Sequence, residues 1–241
     1  MKDITFLVTY YAQPDLLMIC LDSIRKFYPD NKIIVSQEEG DNVIDLPENN
    51  IVAPYNVRRI QHTMRKEGKV WVDVAIGLAK QCTTDFAVYI EHDAFLLRNI
   101  DDMIEKIESG EYGAIGVEEM IPYKGLDRHS PGMMNQNFFL INMKKMKEIG
   151  LEKMRVNHTI PRVPMKNVES GYGISQSLQK KLFLPVSPSG YAFGTFYGDI
   201  AHHLWYGSYP KRNVMFDNVS PMWMGHEANR LIRDYWEGKI K

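Results

Sequence analysis

The chain has 241 residues, 44% of them apolar and 24% charged, a composition that excludes the disordered and fibrous classes and folds around a core. Its formal net charge of -1, with acids and bases interspersed, excludes a surface built to neutralise a run of nucleic-acid phosphates. Cys20 and Cys82 are too few for a disulfide framework and have no CxxC spacing, which points to a reducing, cytoplasmic setting.

The first stretch, MKDITFLVTYY, lacks a signal-peptide pattern, because Asp3 interrupts its start and the apolar run breaks at Thr9. No run of about 20 apolar residues occurs anywhere, so no bilayer span is expected. ITFLVTYY is β-branched and aromatic and reads as a strand. PDLLMICLDSIRKFYP carries apolar residues at helical spacing, with Pro14 suited to a first turn. KIIVS reads as a second buried strand, which completes a βαβ unit. HTMRKEGK holds four bases and reads as a solvated charge run. VWVDVAIGLAKQC reads as a largely apolar helix, and FAVYI as another buried strand. Strands alternating with helices imply an α/β fold with a mostly parallel, Rossmann-like central sheet flanked by helices.

The second half is less regular. NIDDMIEKIESG reads as a helix, YGAIGVEE and NFFLIN as strands, and NVESGYGISQSLQKK as a turn entering a helix. Residues 120–137 and 151–167 mix Pro, Gly, His and Met without periodicity and are expected to be loops. GHEANRLIRDYWEGK has the spacing of a final helix. No repeat, low-complexity tract or composition shift marks a linker, so one domain spanning 1–241 is expected.

Open parallel sheets bind ligands outside the carboxyl ends of their strands. That rule puts Thr9-Tyr10, Ser36-Gln37-Glu38 and Glu91-His92-Asp93 on one rim. Two carboxylates in E-x-D spacing at a strand end suit a hard divalent cation, Mg²⁺ or Mn²⁺, that prefers oxygen ligands. On spacing alone a solvated strand end fits equally well.

The order of these segments, from a strand ending in Thr-Tyr through a helix with GLA to FAVYIEHDAFLL, resembles the nucleotide-sugar half of a GT-A glycosyltransferase of the family 2 type. Glu91-His92-Asp93 occupies the place of that family's Asp-x-Asp motif. The resemblance implies Asp93 as a direct ligand of Mn²⁺ or Mg²⁺, with Glu91 acting on the metal or on the donor sugar. NVESGYGISQSLQKKLFLP resembles the segment in which an acid deprotonates the acceptor hydroxyl, a position taken by Glu169; Ser170 replaces the second acid of that segment. DIAHHLWYGS resembles a segment near the end of many GT-A chains whose histidine completes the metal site, and by that match His203 is the ligand and His202 its packed neighbour.

Further site residues are implied by the same resemblance. Thr9, Tyr10 and Glu38 would hold the nucleoside. Val74-Ala75 stands where the family has Arg-Asn, leaving Asp73 as the nearby polar group. Residues 1–98 would form the nucleotide-sugar half and residues 99–241 the acceptor-binding and catalytic half.

The activity so implied is a metal-dependent, inverting transfer of a sugar from a nucleoside-diphosphate sugar, UDP- or GDP-linked first among candidates, to a hydroxyl of a glycan or glycoconjugate. Two alternatives remain at this point. One is a non-catalytic nucleotide-sugar or glycan-binding module of the same fold. The other is a nucleotidyltransferase, against which stands the absence of glycine in TYYAQPD after the first strand. Trp205, Tyr206 and Trp223 could stack on a sugar or fill the core. Asn135 and Gln136 could line an acceptor pocket or sit on a surface loop, and His226 is read as part of the last helix.

Overall fold

A computed structural model describes residues 2–10, 14–38, 55–62, 71–123, 126–154, 180–188, 194–204 and 221–239. The βαβ reading of the first half is the frame of the molecule. Strand β1 (Ile4–Tyr10) leads into helix α1 (Pro14–Phe27) and returns as β2 (Lys32–Glu38), parallel to β1. Strand β3 (Val57–His62) joins the outer edge of β2, again parallel. Helix α2 (Trp71–Gln81) crosses back to β4 (Phe86–Glu91), which pairs with the other side of β1.

Side chains alternate across each strand, and the alternation sorts the core into two layers. Phe6, Val8 and Tyr10 of β1 and Val88 and Ile90 of β4 pack with Leu16, Leu17, Cys20, Leu21 and Ile24 of α1. Leu7, Ala87 and Tyr89 point the other way, onto Val74, Ala75, Leu78 and Ala79 of α2. Both layers are built of buried apolar side chains, which is why these strands read as continuous apolar runs. Cys20 and Cys82 are buried free thiols, and burial pushes the Cys20 thiol up.

The second half extends the sheet and adds a smaller one. Strand β5 (Ala94–Leu96) follows β4 almost at once and is succeeded by helix α3 (Asp101–Glu108). The Tyr28 hydroxyl at the end of α1 accepts from Ile100 N at 2.7 Å and donates to Asp101 Oδ1 at 3.0 Å, tying α3 to α1. Strands β6 (Ala114–Tyr123) and β7 (Leu126–Asn142) form an antiparallel pair, with β7 also antiparallel to β4. Helix α4 (Met143–Ile149) and a 3-10 turn (Leu151–Met154) follow. Strand β8 (Lys181–Phe183) adds parallel to β6, giving the order β3-β2-β1-β4-β7-β6-β8. Strands β9 (Val186–Pro188), β10 (Gly194–Tyr197) and β11 (Ala201–Leu204) make an antiparallel sheet with β5, ordered β5-β11-β10-β9. Helix α5 (Pro221–Trp236) packs on α1, with Lys26 Nζ 3.7 Å from the Trp236 ring centre. Among the described residues no helix is long and apolar enough to cross a membrane.

One expectation is corrected. Residues 120–123 and 126–137, expected as a loop, are strand. The pairing passes from Gly116↔Phe139 to Glu118↔Met134 to Met120↔His129, so β7 advances five residues for every two of β6 at each step. The surplus is taken up in bulges, which tolerate Pro131 and Gly132 and erase the period-two alternation by which a strand is read. Gly116 is required where this ribbon begins: a Cβ there would lie 2.7 Å from Phe139 Cβ and 2.9 Å from the Phe138 carbonyl oxygen.

Candidate active site

The site is built where the chain leaves the large sheet for the small one. Glu91 ends β4 in register with Thr9 of β1, which is itself opposite Ser36 of β2, so the three stand in one row. His92 N donates to Thr9 O at 3.0 Å, prolonging the ladder by one bond. Leu204 N then donates to Asp93 O at 2.9 Å, and β5 pairs with β11, placing Ala94 opposite His203. Glu91 and Asp93 are therefore held by different sheets on either side of one tight turn, and β11 delivers His203 between them.

The resulting cluster is compact. His203 Nε2 lies 3.4 Å from Asp93 Oδ1 and 3.6 Å from Glu91 Oε2. Single ligand atoms of the three residues all fall within 4.8 Å of one another. The side chains of Asp93 and His203 are 2% and 3% exposed, against 14% for Glu91, so the cluster is open on the Glu91 side. On the far side of the imidazole, His203 Nδ1 is 3.0 Å from the Tyr197 hydroxyl and 3.2 Å from Asn137 Nδ2.

The two adjacent histidines part ways because β11 alternates. His202 faces away from the carboxylates, 5.0 Å from the Phe196 ring and stacked at 6.4 Å on Phe95. Burial, with the neighbouring His203, pushes it down to about 3, so it is a neutral core group. For His203 burial works in the same direction, but the Asp93 and Glu91 carboxylates outweigh it and raise the imidazole to about 9. In turn His203 holds Asp93 below the usual carboxylate range in spite of its burial. His92 is outside the cluster: burial lowers it, and its ring meets Tyr10 edge-on at 5.5 Å.

A divalent cation fits these residues. Octahedral ligands at about 2.1 Å from a cation lie about 3 Å apart when adjacent and about 4.2 Å when opposite, a range that the cluster nearly matches as it stands. Two carboxylates and one imidazole carry net negative charge into a buried place. Asp93 Oδ1 is fully buried with His203 Nε2 3.4 Å away, and a carboxylate so placed is costly unless something positive meets it, the His203 imidazolium or a cation in its stead. A cation on Nε2 must displace the proton that His203 holds below about pH 9. Mn²⁺ affinity is therefore expected to rise about tenfold per pH unit between pH 6 and 8, with about one proton released. Calorimetric titration in buffers of different ionisation enthalpy reads the proton directly, and a pH-independent affinity would contradict the assignment.

Other residues singled out in the sequence are distributed as follows. Thr9 is beside Glu91 across the β1–β4 ladder. Tyr10 lies on the α1 side of the sheet, in the core, and so on the opposite face from Thr9. Asp73 sits half-buried in the first turn of α2, the helix that covers the Thr9 face. Glu38 ends β2 opposite His62 of β3. Asn135 and Gln136 fall on β7, and Trp223 and His226 on α5. Glu169, its helix entry, Trp205 and Tyr206 lie outside the described residues. Asn137 and Tyr197, which touch His203, belong to no recognisable motif; the only signal in the sequence is the spacing of Tyr197 and His203 across a tight hairpin.

Comparison with solved structures gives the frame its identity. TarS from S. aureus, residues 1–349 in complex with UDP-GlcNAc, matches with a TM-score of 0.51 at 12% identity, over 97% of this chain and 66% of that one. The mannosyltransferase PcManGT from Pyrobaculum calidifontis, in complex with GDP-Man and Mn²⁺, matches with a TM-score of 0.51 at 11% identity, over 76% of this chain and 54% of that one. The chain has the GT-A fold. An active-site mutant of LgtC matches this GT-A chain with a TM-score of 0.51 at 15% identity, over 76% of it and 72% of LgtC. The GT-A chain spans less than two thirds of the TarS and PcManGT chains. No family model and no curated protein sequence matches it.

Proposed function

We propose that this protein transfers a glycosyl group from a nucleoside-diphosphate sugar to a hydroxyl of a glycan or glycoconjugate, with a divalent cation and with inversion at the anomeric carbon. The observation that carries the proposal is the convergence of Glu91, Asp93 and His203 at the carboxyl end of β4 in a GT-A fold. That position is where open α/β sheets take their ligands. TarS binding UDP-GlcNAc, and PcManGT binding GDP-Man with Mn²⁺, support a UDP- or GDP-linked donor.

Glu91, Asp93 and His203 Nε2 would hold Mn²⁺ or Mg²⁺, which when bound supplies Lewis-acid stabilisation of the charge developing on the departing diphosphate. Thr9, Glu38 and Asp73 are assigned to the nucleoside, Thr9 being adjacent to Glu91, whereas Tyr10 is buried in the core and backs the turn through His92. Glu169 would accept the proton of the acceptor hydroxyl as its oxygen bonds to the anomeric carbon and the bond from that carbon to the diphosphate breaks. The Glu91 side, the most exposed part of the cluster, suits entry of a diphosphate. A reducing cytoplasm suits its two buried free thiols.

Slow hydrolysis of the donor tests the proposal without knowledge of the acceptor. Purified protein incubated with UDP-GlcNAc or GDP-Man should release free sugar and nucleoside diphosphate with Mn²⁺, and stop when EDTA is added. Cation-dependent donor binding with neither hydrolysis nor transfer to any hydroxyl acceptor would identify a binding module instead.

A further inference from the structure

We infer that Tyr197 is a positioning residue for His203, its hydroxyl oxygen accepting the Nδ1 hydrogen so that Nε2 is kept toward Glu91 and Asp93 as the ligand nitrogen. The inference rests on the cation site proposed above. It adds what holds the imidazole in the orientation and tautomer that such a site needs.

The placement begins with the hairpin. Tyr197 of β10 pairs with Ala201 of β11, and His203 is two residues further along β11, so both side chains rise from the same face of the small sheet. Tyr197 is fully buried. Its ring lies nearly parallel to the imidazole, with centres 5.8 Å apart and planes at 25°, and its oxygen reaches Nδ1 at 3.0 Å. Asn137 comes from β7 of the large sheet, and its amide nitrogen is 3.4 Å from the Tyr197 oxygen and 3.2 Å from Nδ1. With the Asn137 carboxamide turned so that its oxygen takes this place, the Tyr197 O–H is donated to it and the phenol oxygen is left to accept the Nδ1 hydrogen. The imidazole is thus gripped from both sheets behind Nδ1, while Nε2 faces the carboxylates.

Proton bookkeeping makes the arrangement consequential. A neutral imidazole has one hydrogen and two nitrogens, and only the bare nitrogen can bind a metal. Were Nδ1 bare and accepting from Tyr197, the hydrogen would sit on Nε2, between the ring and the cation. With the hydrogen donated to Tyr197, cation binding removes only the Nε2 hydrogen and leaves the rest of the network unchanged. Outer partners of this kind commonly change metal affinity by about 10- to 100-fold.

The test compares wild type and Tyr197→Phe, which keeps the ring and removes the oxygen. Mn²⁺ affinity is measured by electron paramagnetic resonance, and the cation-free melting temperature is measured alongside. A positioning role predicts an Mn²⁺ Kd raised about 10- to 100-fold with little change in melting temperature. An Mn²⁺ Kd within twofold of wild type, or a loss of affinity no larger than an equal loss of stability explains, overturns it. Failure of wild type itself to bind Mn²⁺ would overturn the cation site and this inference together. Should Tyr197→Phe not fold, nitrogen-15 NMR of the Mg²⁺-loaded wild type decides: a His203 hydrogen on Nδ1 with Nε2 bare is expected, and the reverse tautomer contradicts it.

Discussion

Asp93→Asn is expected to weaken Mn²⁺ binding by at least about a hundredfold and to abolish glycosyl transfer, since loss of an outer partner alone costs 10- to 100-fold. The substitution keeps the shape of the side chain and removes its charge. Asp93 is the principal charge raising His203, so its loss also lets the imidazole titrate lower. That change cannot rescue the site, because the neutral imidazole gained is offset by a lost carboxylate ligand. Cation-free protein should still melt cooperatively, at a temperature lowered by loss of the buried pair between Asp93 and the His203 imidazole 3.4 Å away. Calorimetric titration with Mn²⁺ reads the first effect, and a variant with wild-type Mn²⁺ affinity would remove Asp93 from the site.

Glu169→Gln should divide the chemistry differently. A positioned general base contributes about 10²- to 10⁴-fold to a rate, so kcat should fall by that factor. Mn²⁺ and donor affinity should stay within about threefold of wild type, because the resemblance gives Glu169 to the acceptor and not to the nucleotide. The two variants therefore fail at separate stages, one at cation binding and the other at proton removal. Full kcat in Glu169→Gln would take the base role away from it, leaving the cation site untouched.

The parts of the fold that could be read from the sequence are those whose burial is two-sided. Leu7, Val8, Ile34, Val88 and Ile90 lie in strands covered on both faces, and such runs announce themselves. Strand β3 did not, because Arg58 is exposed at the sheet edge and the half-buried Val57 and Ile60 pack on different core layers, so no face carries an apolar run. Strands β5, β8 and β9 are three residues each, too short for any period to show. In the β6–β7 ribbon, YGAIGVEE and NFFLIN were legible as strands, but bulges hid their continuation over 120–123 and 126–136 behind a loop-like pattern.

The candidate site divides along the same line. Glu91 and Asp93 stood out as charges interrupting an apolar run at a strand end. His203 needed the resemblance, since alternation in a four-residue strand cannot say which of two adjacent histidines faces a ligand; the register with Phe95 and Phe196 supplies that. Asn137 and Tyr197 were silent because each is an ordinary strand residue until three-dimensional pairing sets it beside Nδ1.

The most direct test of the central claim is a thermal-shift measurement with UDP-GlcNAc and GDP-Man, each with and without Mn²⁺. A donor that binds only the folded chain adds about 2.7 kcal/mol at a hundredfold excess over Kd. A rise in melting temperature that requires one donor and the cation together, and that Asp93→Asn loses, is the predicted result. Cooperative melting unmoved by every combination would contradict a nucleotide-sugar site built on Glu91, Asp93 and His203.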